Sequence, residues 1–402
     1  MAASATLRHR PPPPQKAVSI ALDPSLTPEA ALRRVVAACL AQLEANTPGA
    51  RMPCASDALD TPDTTGLAFR AHRAGNPDNA EYVHQMRVAV RRLRSALRFF
   101  DVPAARSARK RFGATLRRLA RTLGEQRNWD VFISTLLPRC GLPPASRDVA
   151  RRRALQLRGA AHERVCDRIK APAHARLLHG LALWLSSLAP EQGAGGEGST
   201  ALLRTPAVQP GALAQVARKG LARLQRRVQR GAKHFLTMPN KARHAVRIEV
   251  KRLRYAVDAT GALFDARAVK RYTAALTALQ QLLGDLTDIN MARMMLRNLG
   301  LDEAALAGAQ DGLRTREVAL LMAAPQRFAK VQAAAGFWKR GQLRQQSQLR
   351  QQRQEGQHGK HREHSKHQTH SKHQTHSKHR THSKHRTHSK QPNQPKKGGH
   401  HV

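Results

Sequence analysis

His84-Gln85-Met86-Arg87-Val88-Ala89-Val90-Arg91-Arg92-Leu93-Arg94 recurs 160 positions later as His244-Ala245-Val246-Arg247-Ile248-Glu249-Val250-Lys251-Arg252-Leu253-Arg254. The same interval relates Leu123-Gly124-Glu125 to Leu283-Gly284-Asp285, so residues 84–124 align with 244–284 without a gap. A gapless repeat of this extent indicates two halves of one fold built on the same elements. Apolar spacing alone would satisfy a structural repeat. Here a histidine and a ladder of cations recur as well.

On a helix of 3.6 residues per turn, His84, Arg87, Arg91, Arg94 and Arg98 fall within about a quarter of the circumference. Met86, Val90, Leu93, Leu97 and Phe100 fall on a different stripe, the core-facing signature of an amphipathic helix. In the second copy His244, Arg247, Lys251 and Arg254 form the polar stripe and Val246, Val250, Leu253 and Val257 the apolar one, with Asp258 in place of the last cation. Asp78 followed by Glu81 reads as a capping box that starts the first helix, and Gly261 as the stop of the second.

The 402 residues carry 70 Lys plus Arg against 27 Asp plus Glu, a formal net charge of +43 and a pI near 11.7. A polyanion is the natural partner, because such an excess repels itself in a compact state unless an anion compensates it. Only 15 of the Lys and Arg fall within residues 340–402, so the body is itself basic. The 9 Phe, 3 Trp and 3 Tyr are sparse for a protein that reads bases by stacking. Trp129 and Trp184 read as core residues. The four cysteines, Cys39, Cys54, Cys140 and Cys166, form no Cys-x-x-Cys pair, as expected of reduced structural thiols in a cytoplasmic protein. The N-terminal segment, with Arg8, Arg10 and prolines 11–14, offers no signal-peptide core, and the longest uncharged stretch, residues 177–190, is too short to span a bilayer.

Thr27-Pro28-Glu29 opens a helical pattern that runs to about Asn46, with Thr27 as N-cap and proline at the first helical position. Helical periodicity continues over residues 106–123, about 129–137, 147–170 and 173–188. It resumes over 212–235, 241–260, 266–283, about 287–299 and 302–322. The Leu-Gly-acid triplets read as structural, with glycine permitting a sharp turn or a close helix approach. No alternating β-branched run suggests a strand. The expected fold is all-α and internally duplicated. Residues 1–25 form a flexible N-terminal segment and 26–335 the body, divided into halves 26–189 and 212–335 by a Gly- and Pro-containing linker at 190–211. Residues 336–402 form a tail in which His-Ser-Lys-His-Gln-Thr and His-Ser-Lys-His-Arg-Thr units repeat from His364. Lacking apolar residues to bury, this basic tail is expected to be disordered.

The pattern His-x-x-Arg-x-x-x-Arg/Lys-Arg-Leu-Arg, present twice and followed each time about thirty residues later by Leu-Gly-Glu/Asp, resembles the CHAD domain, the conserved histidine α-helical domain. The likeness covers residues 26–335 in layout and is sharpest over 84–94, 123–131, 244–255 and 283–290. It implies a pair of four-helix bundles related by a pseudo-two-fold axis, with a basic groove or pore between them that binds inorganic polyphosphate. It also implies association with polyphosphate or polyhydroxyalkanoate granules. By the same resemblance His84, Arg87, Arg91, Arg94, His244, Arg247, Lys251 and Arg254 line the basic surface. Arg98 extends the first stripe and joins this expected site, whereas Arg92 and Arg252 lie off the stripes and are weaker candidates. The linker and the His-rich tail depart from the simplest family pattern. The Glu-x-Glu-x-Lys signature of an attached triphosphatase is not found, since Glu249-Val250-Lys251 lacks the first Glu.

Guanidinium and ammonium groups three and four residues apart on a rigid helix can meet successive phosphates with charge-assisted, often bidentate hydrogen bonds. Two other function classes compete with this reading. Nucleic-acid binding would suit the charge, but no zinc-finger spacing, RNA-recognition aromatic pattern or helix-turn-helix is recognisable, so it is expected to be non-specific. Divalent-metal binding would suit the histidines, but His84 and His244 lie among cations without the carboxylate or thiolate partners a metal needs. For these two histidines, a hydrogen-bonded orienting role and direct phosphate contact are equally open. Asp130 and Asp288 are expected to pair with motif arginines and orient them. No nucleophile motif, phosphate loop or carboxylate cluster points to catalysis, to a metal or to a cofactor.

Overall fold

The computed structural model describes residues 11–52, 79–188 and 211–340. All but Gly211 of the linker expected at residues 190–211, the tail from 341 onward, Cys54 and the Asp78 cap lie outside the described residues. Thr27 caps α1 (Pro28–Asn46), its Oγ1 accepting from the Ala30 N–H at 3.0 Å. After it come α2 (Asn79–Phe99), α3 (Pro103–Val131), α4 (Pro144–Lys170) and α5 (Pro172–Ser187). The second half comprises α6 (Ala212–Lys233), α7 (Asn240–Thr260), α8 (Ala266–Arg297) and α9 (Glu303–Ala334). Among the described residues there is no strand, and no helix is long and apolar enough to cross a membrane.

Each half is a four-helix bundle in which consecutive helices pack on one another. In the second half α9 closes the ring by packing on both α8 and α6. In the first half the closing helix is broken, and α4 packs on α3 while α5 packs on α1. The break has a local cause. Ala171 precedes Pro172 and takes an extended conformation (φ −61°, ψ 137°), because proline disfavours the helical conformation in the residue before it. Pro325 does not break α9, where Ala324, Phe328 and Val331 are buried on the same helix, so the helix outruns its expected end at Met322.

Four further boundaries differ from the sequence expectation. The interruptions expected after Leu123 and Leu283 do not occur, and α3 and α8 run straight through Gly124 and Gly284. A glycine in a helix interior costs about 1 kcal/mol relative to alanine. Burying the leucine before it and the apolar residues beyond it outweighs that cost. The body also continues past residue 335, because Phe337 and Trp338 are buried against Phe264 and Tyr272. At the other end, part of the segment expected to be flexible is tied down. The Tyr82 hydroxyl donates to the Pro12 carbonyl at 2.9 Å, Asn46 exchanges hydrogen bonds with the Gln15 backbone, Arg92 donates to the Val18 carbonyl, and Leu22 is buried.

All described residues belong to one compact unit, and one apolar core runs through both halves. The halves meet where α2 packs on α7 and α1 on α6. They meet again where the turn after α3, residues 132–142, joins the distal ends of α8 and α9 in a second apolar cluster that includes Phe132, Leu136, Ile289 and Leu296. Trp184 is buried in the main core, while Trp129 is only partly covered, at the edge of the second cluster. The polar stripes of the two motif helices lie along this doubly fastened seam.

Candidate functional site

In α2 the side chains of Met86, Val90, Leu93 and Leu97 are buried, and in α7 so are Val246, Val250, Leu253 and Val257, which fixes the direction in which the cation stripes point. The crevice between the two helices is lined by Ser95, Ala96 and Phe99 from α2 and by Tyr255, Ala256 and Ala259 from α7. These are repeat-equivalent positions, so the two helices present equivalent residues to each other. Small residues at the contact let the backbones approach.

Toward the N-terminal side of that contact, Arg87, Arg91, Arg247 and Lys251 converge. Burial, reinforced by Arg91, Arg247 and Arg127, holds the Arg87 guanidinium down to about 10. The Lys251 ammonium is pushed down to about 6 by burial, then by Arg91, Arg247 and Arg87, with Asp288 opposing. Arg247 is lowered by burial, and its buried Nε has no hydrogen-bond partner among the described residues. Arg91 crosses the seam, donating to the Tyr255 hydroxyl and lying with its guanidinium carbon 5.6 Å from the centre of that ring. The two histidines flank the cluster. His84 is lowered by burial and then by Arg127, with Glu81 opposing, and His244 by burial and then by Arg247, Lys251 and Arg87. Both therefore favour the neutral form without an anion. His244 is exposed and His84 only half-buried, and neither makes a hydrogen bond among the described residues that would identify it as a helix-orienting group.

The remaining expected residues are placed elsewhere. Arg94 and Arg98, both lowered by burial and then by neighbouring arginines, form a second group with Arg252 further along the helix. Arg252 lies off the stripe of its own helix but faces the partner helix. Arg254 is tied off, with Nε donating to Asp258 Oδ1 at 2.8 Å and Nη1 to the Thr277 hydroxyl. Asp130 is paired with a residue outside the motif. It forms a buried ion pair with Arg158 of α4 at 2.7 Å, because a position six residues beyond Gly124 lies on another face of α3. Asp288, four residues beyond Gly284, does face Arg247 and Lys251. Burial raises its carboxyl against their opposing charges, and its repeat counterpart is Asn128.

The glycine of the Leu-Gly-acid triplet now has a specific reason. A Cβ on Gly124 would stand 2.3 Å from Arg87 Nη1, so the tip of this guanidinium abuts α3 where only hydrogen leaves room. At Gly284 the nearest atom, Arg247 Nη2, is 3.8 Å away, an ordinary contact. Gly124→Ala is therefore expected to displace the Arg87 guanidinium and weaken anion binding several-fold at little cost in stability, since the displaced atom ends a flexible side chain. Gly284→Ala should bind as the unaltered chain does. Calorimetric titration of both variants with polyphosphate reads the difference, and equal affinities would show that the position of Arg87 is immaterial.

Residues 67–297 match the family model of the CHAD domain. The chain belongs to the CHAD domain family. Its fold is similar to that in the crystal structure of the CHAD domain from the plant Ricinus communis, with a TM-score of 0.57 and 24% sequence identity over 80% of this chain and 96% of that one. No curated protein matches the chain. Within this CHAD domain, sequence reasoning missed Arg127 and Tyr255 and ranked the inward-facing Arg252 only as a weaker candidate. Two of these carried a signal. Arg127 lies three residues beyond Gly124 and Tyr255 four beyond Lys251, spacings that keep each on the face of a residue already singled out. Among the described residues, no three His, Cys, Asp or Glu side chains come together as a metal ion would require.

Proposed function

We propose that this CHAD domain binds inorganic polyphosphate at the seam between its halves and acts as a binding module rather than a catalyst. One observation carries the reading. Arg87, Arg91, Arg247 and Lys251 are brought together from both halves, and among the described residues the carboxylates that oppose them are Asp288, acting on Arg247 and Lys251, and Asp285, acting on Arg247, so the four cations outnumber the counter-charge that burial demands. A flexible chain of phosphates supplies that charge without needing a loop to close over it. His84, Arg94, Arg98 and His244 extend the contact on either side, and the histidines gain a proton when the anion arrives. Arg254, already bonded to Asp258 and Thr277, contributes mainly to the field. Association with polyphosphate or polyhydroxyalkanoate granules in the cytoplasm would follow from such binding.

Nucleic acid offers the same phosphate charge but is a stiffer, bulkier polymer that presents bases as well. The test is competition for the protein bound to labelled polyphosphate. RNA and DNA at equal phosphate concentration are expected to leave the complex intact, while unlabelled polyphosphate displaces it. Displacement by RNA or DNA with equal efficiency would overturn the assignment and leave a general polyanion binder.

A further inference from the structure

Beyond the central cluster, a cleft of about 350 Å³ opens at the C-terminal end of α2, between it and the α6–α7 pair. Its walls carry the guanidiniums of Arg98, Arg109, Arg223, Arg227 and Arg252, and the two carboxylates of the cleft are already engaged with four of them. Asp101 stands 3.7 Å from Arg109 and 3.6 Å from Arg223. Glu249 pairs with Arg252 and stands 3.6 Å from Arg227. Asp101 also meets Arg106 at 4.0 Å, so each acid holds at least two arginines in place without neutralising all of them. Among the described residues Arg98 has no acidic partner. Burial and the charges of Arg252, Arg94, Arg109 and Arg117 all disfavour its cation.

The cleft adjoins the cluster on both motif helices. On α7, Lys251 belongs to the cluster and the next residue, Arg252, to the cleft. On α2, Arg91 and Arg98 are separated by about 10 Å of helix rise, with Arg94 on the same stripe between them. A phosphate chain leaving the cluster along this stripe meets Arg94 and then the cleft. A short oligophosphate filling the cluster does not reach it.

We propose that the cleft lined by Arg98, Arg109, Arg223 and Arg252 is a second phosphate subsite, which makes the protein select long polyphosphate chains over short ones. The inference rests on polyphosphate being held at the central cluster. Its test is calorimetric titration of the full chain and of R109A/R223A with tripolyphosphate and, separately, with long-chain polyphosphate. Both replaced side chains are partly exposed, and R223Q alone serves as a milder second variant. The variants are expected to bind long chains about tenfold more weakly or worse, the loss of one or two charge-assisted contacts, while tripolyphosphate affinity stays unchanged. Unchanged affinity for long chains in both variants overturns the subsite, and an equal loss for both ligands shows a field effect without length selection. If the unaltered protein binds neither ligand, the proposed function falls and this inference with it.

Discussion

Replacing Arg87, Arg91 and Arg247 together by alanine is expected to abolish retention on immobilised polyphosphate while the helical circular dichroism persists and the thermal midpoint of the ligand-free protein does not fall. A hydrogen bond to a charged group contributes about 1.5–3 kcal/mol, so losing three such contacts weakens binding by at least roughly a thousandfold. Stability moves independently because, among the described residues, none of these three cations forms an ion pair with a carboxylate, and Asp288 and Asp285 act on Arg247 only through their field. Burial and mutual repulsion keep Arg87 and Arg247 below their ordinary pKa, so at neutral pH their charges work against the folded state. Removing them relieves that repulsion and offsets the lost packing of their stems. Arg254→Ala makes the contrast, because its guanidinium is already satisfied and only a small loss of affinity is expected. A collapse of the midpoint in the triple variant, or retention as strong as before, would show that the arginines serve the fold and not a ligand.

Polyphosphate affinity is expected to fall as pH rises above about 6, and Lys251 is the main cause. Without ligand its ammonium is held down to about 6, so at neutral pH most of the side chain is neutral. A bound phosphate favours the charged form and moves the group back toward the ordinary lysine value of about 10.5. Between these two limits each binding event takes up close to one proton, and affinity drops by up to about tenfold per pH unit. The half-buried His84 and exposed His244, both lowered when free, add uptake at the acidic end of the range. Titrations at pH 8 in two buffers of different ionisation enthalpy measure the uptake directly, and Lys251→Met should remove most of it. The stability of the free protein runs the opposite way. Here the folded pKa lies below the unfolded one, so between about pH 6 and 10.5 the unfolded chain holds the extra proton and stability attributable to Lys251 rises with pH. Binding without proton uptake at pH 8 would place the phosphates away from Lys251.

The duplicated helices were legible because a stripe of cations opposite a stripe of aliphatic residues has one interpretation at helical spacing. Arg87, Arg91, Arg247 and Lys251 could be named from that spacing. What the spacing does not contain is the angle at which two helices meet. Arg252, off-stripe on α7, faces the partner helix, whereas Arg254, on the stripe, turns back to Asp258. Helix ends were misjudged where a residue known as a breaker sits in a well-packed segment, as at Gly124, Gly284 and Pro325. The anchoring of residues 12–22 depends on Tyr82, Asn46 and Arg92, which are distant in sequence, and nothing local announces it. Asp130 shows the same limit. Its neighbours in sequence are motif residues, but its partner Arg158 comes from the next helix.

The narrow bed that Gly124 provides for the Arg87 guanidinium bears on how related chains should be sorted. A homologue that keeps every arginine and lysine of the seam, yet carries serine or a larger residue at this place, would pass any screen that counts charges. It would nonetheless present one of its anchoring groups in the wrong direction. An absent side chain belongs in the signature of the site on the same footing as the basic ones.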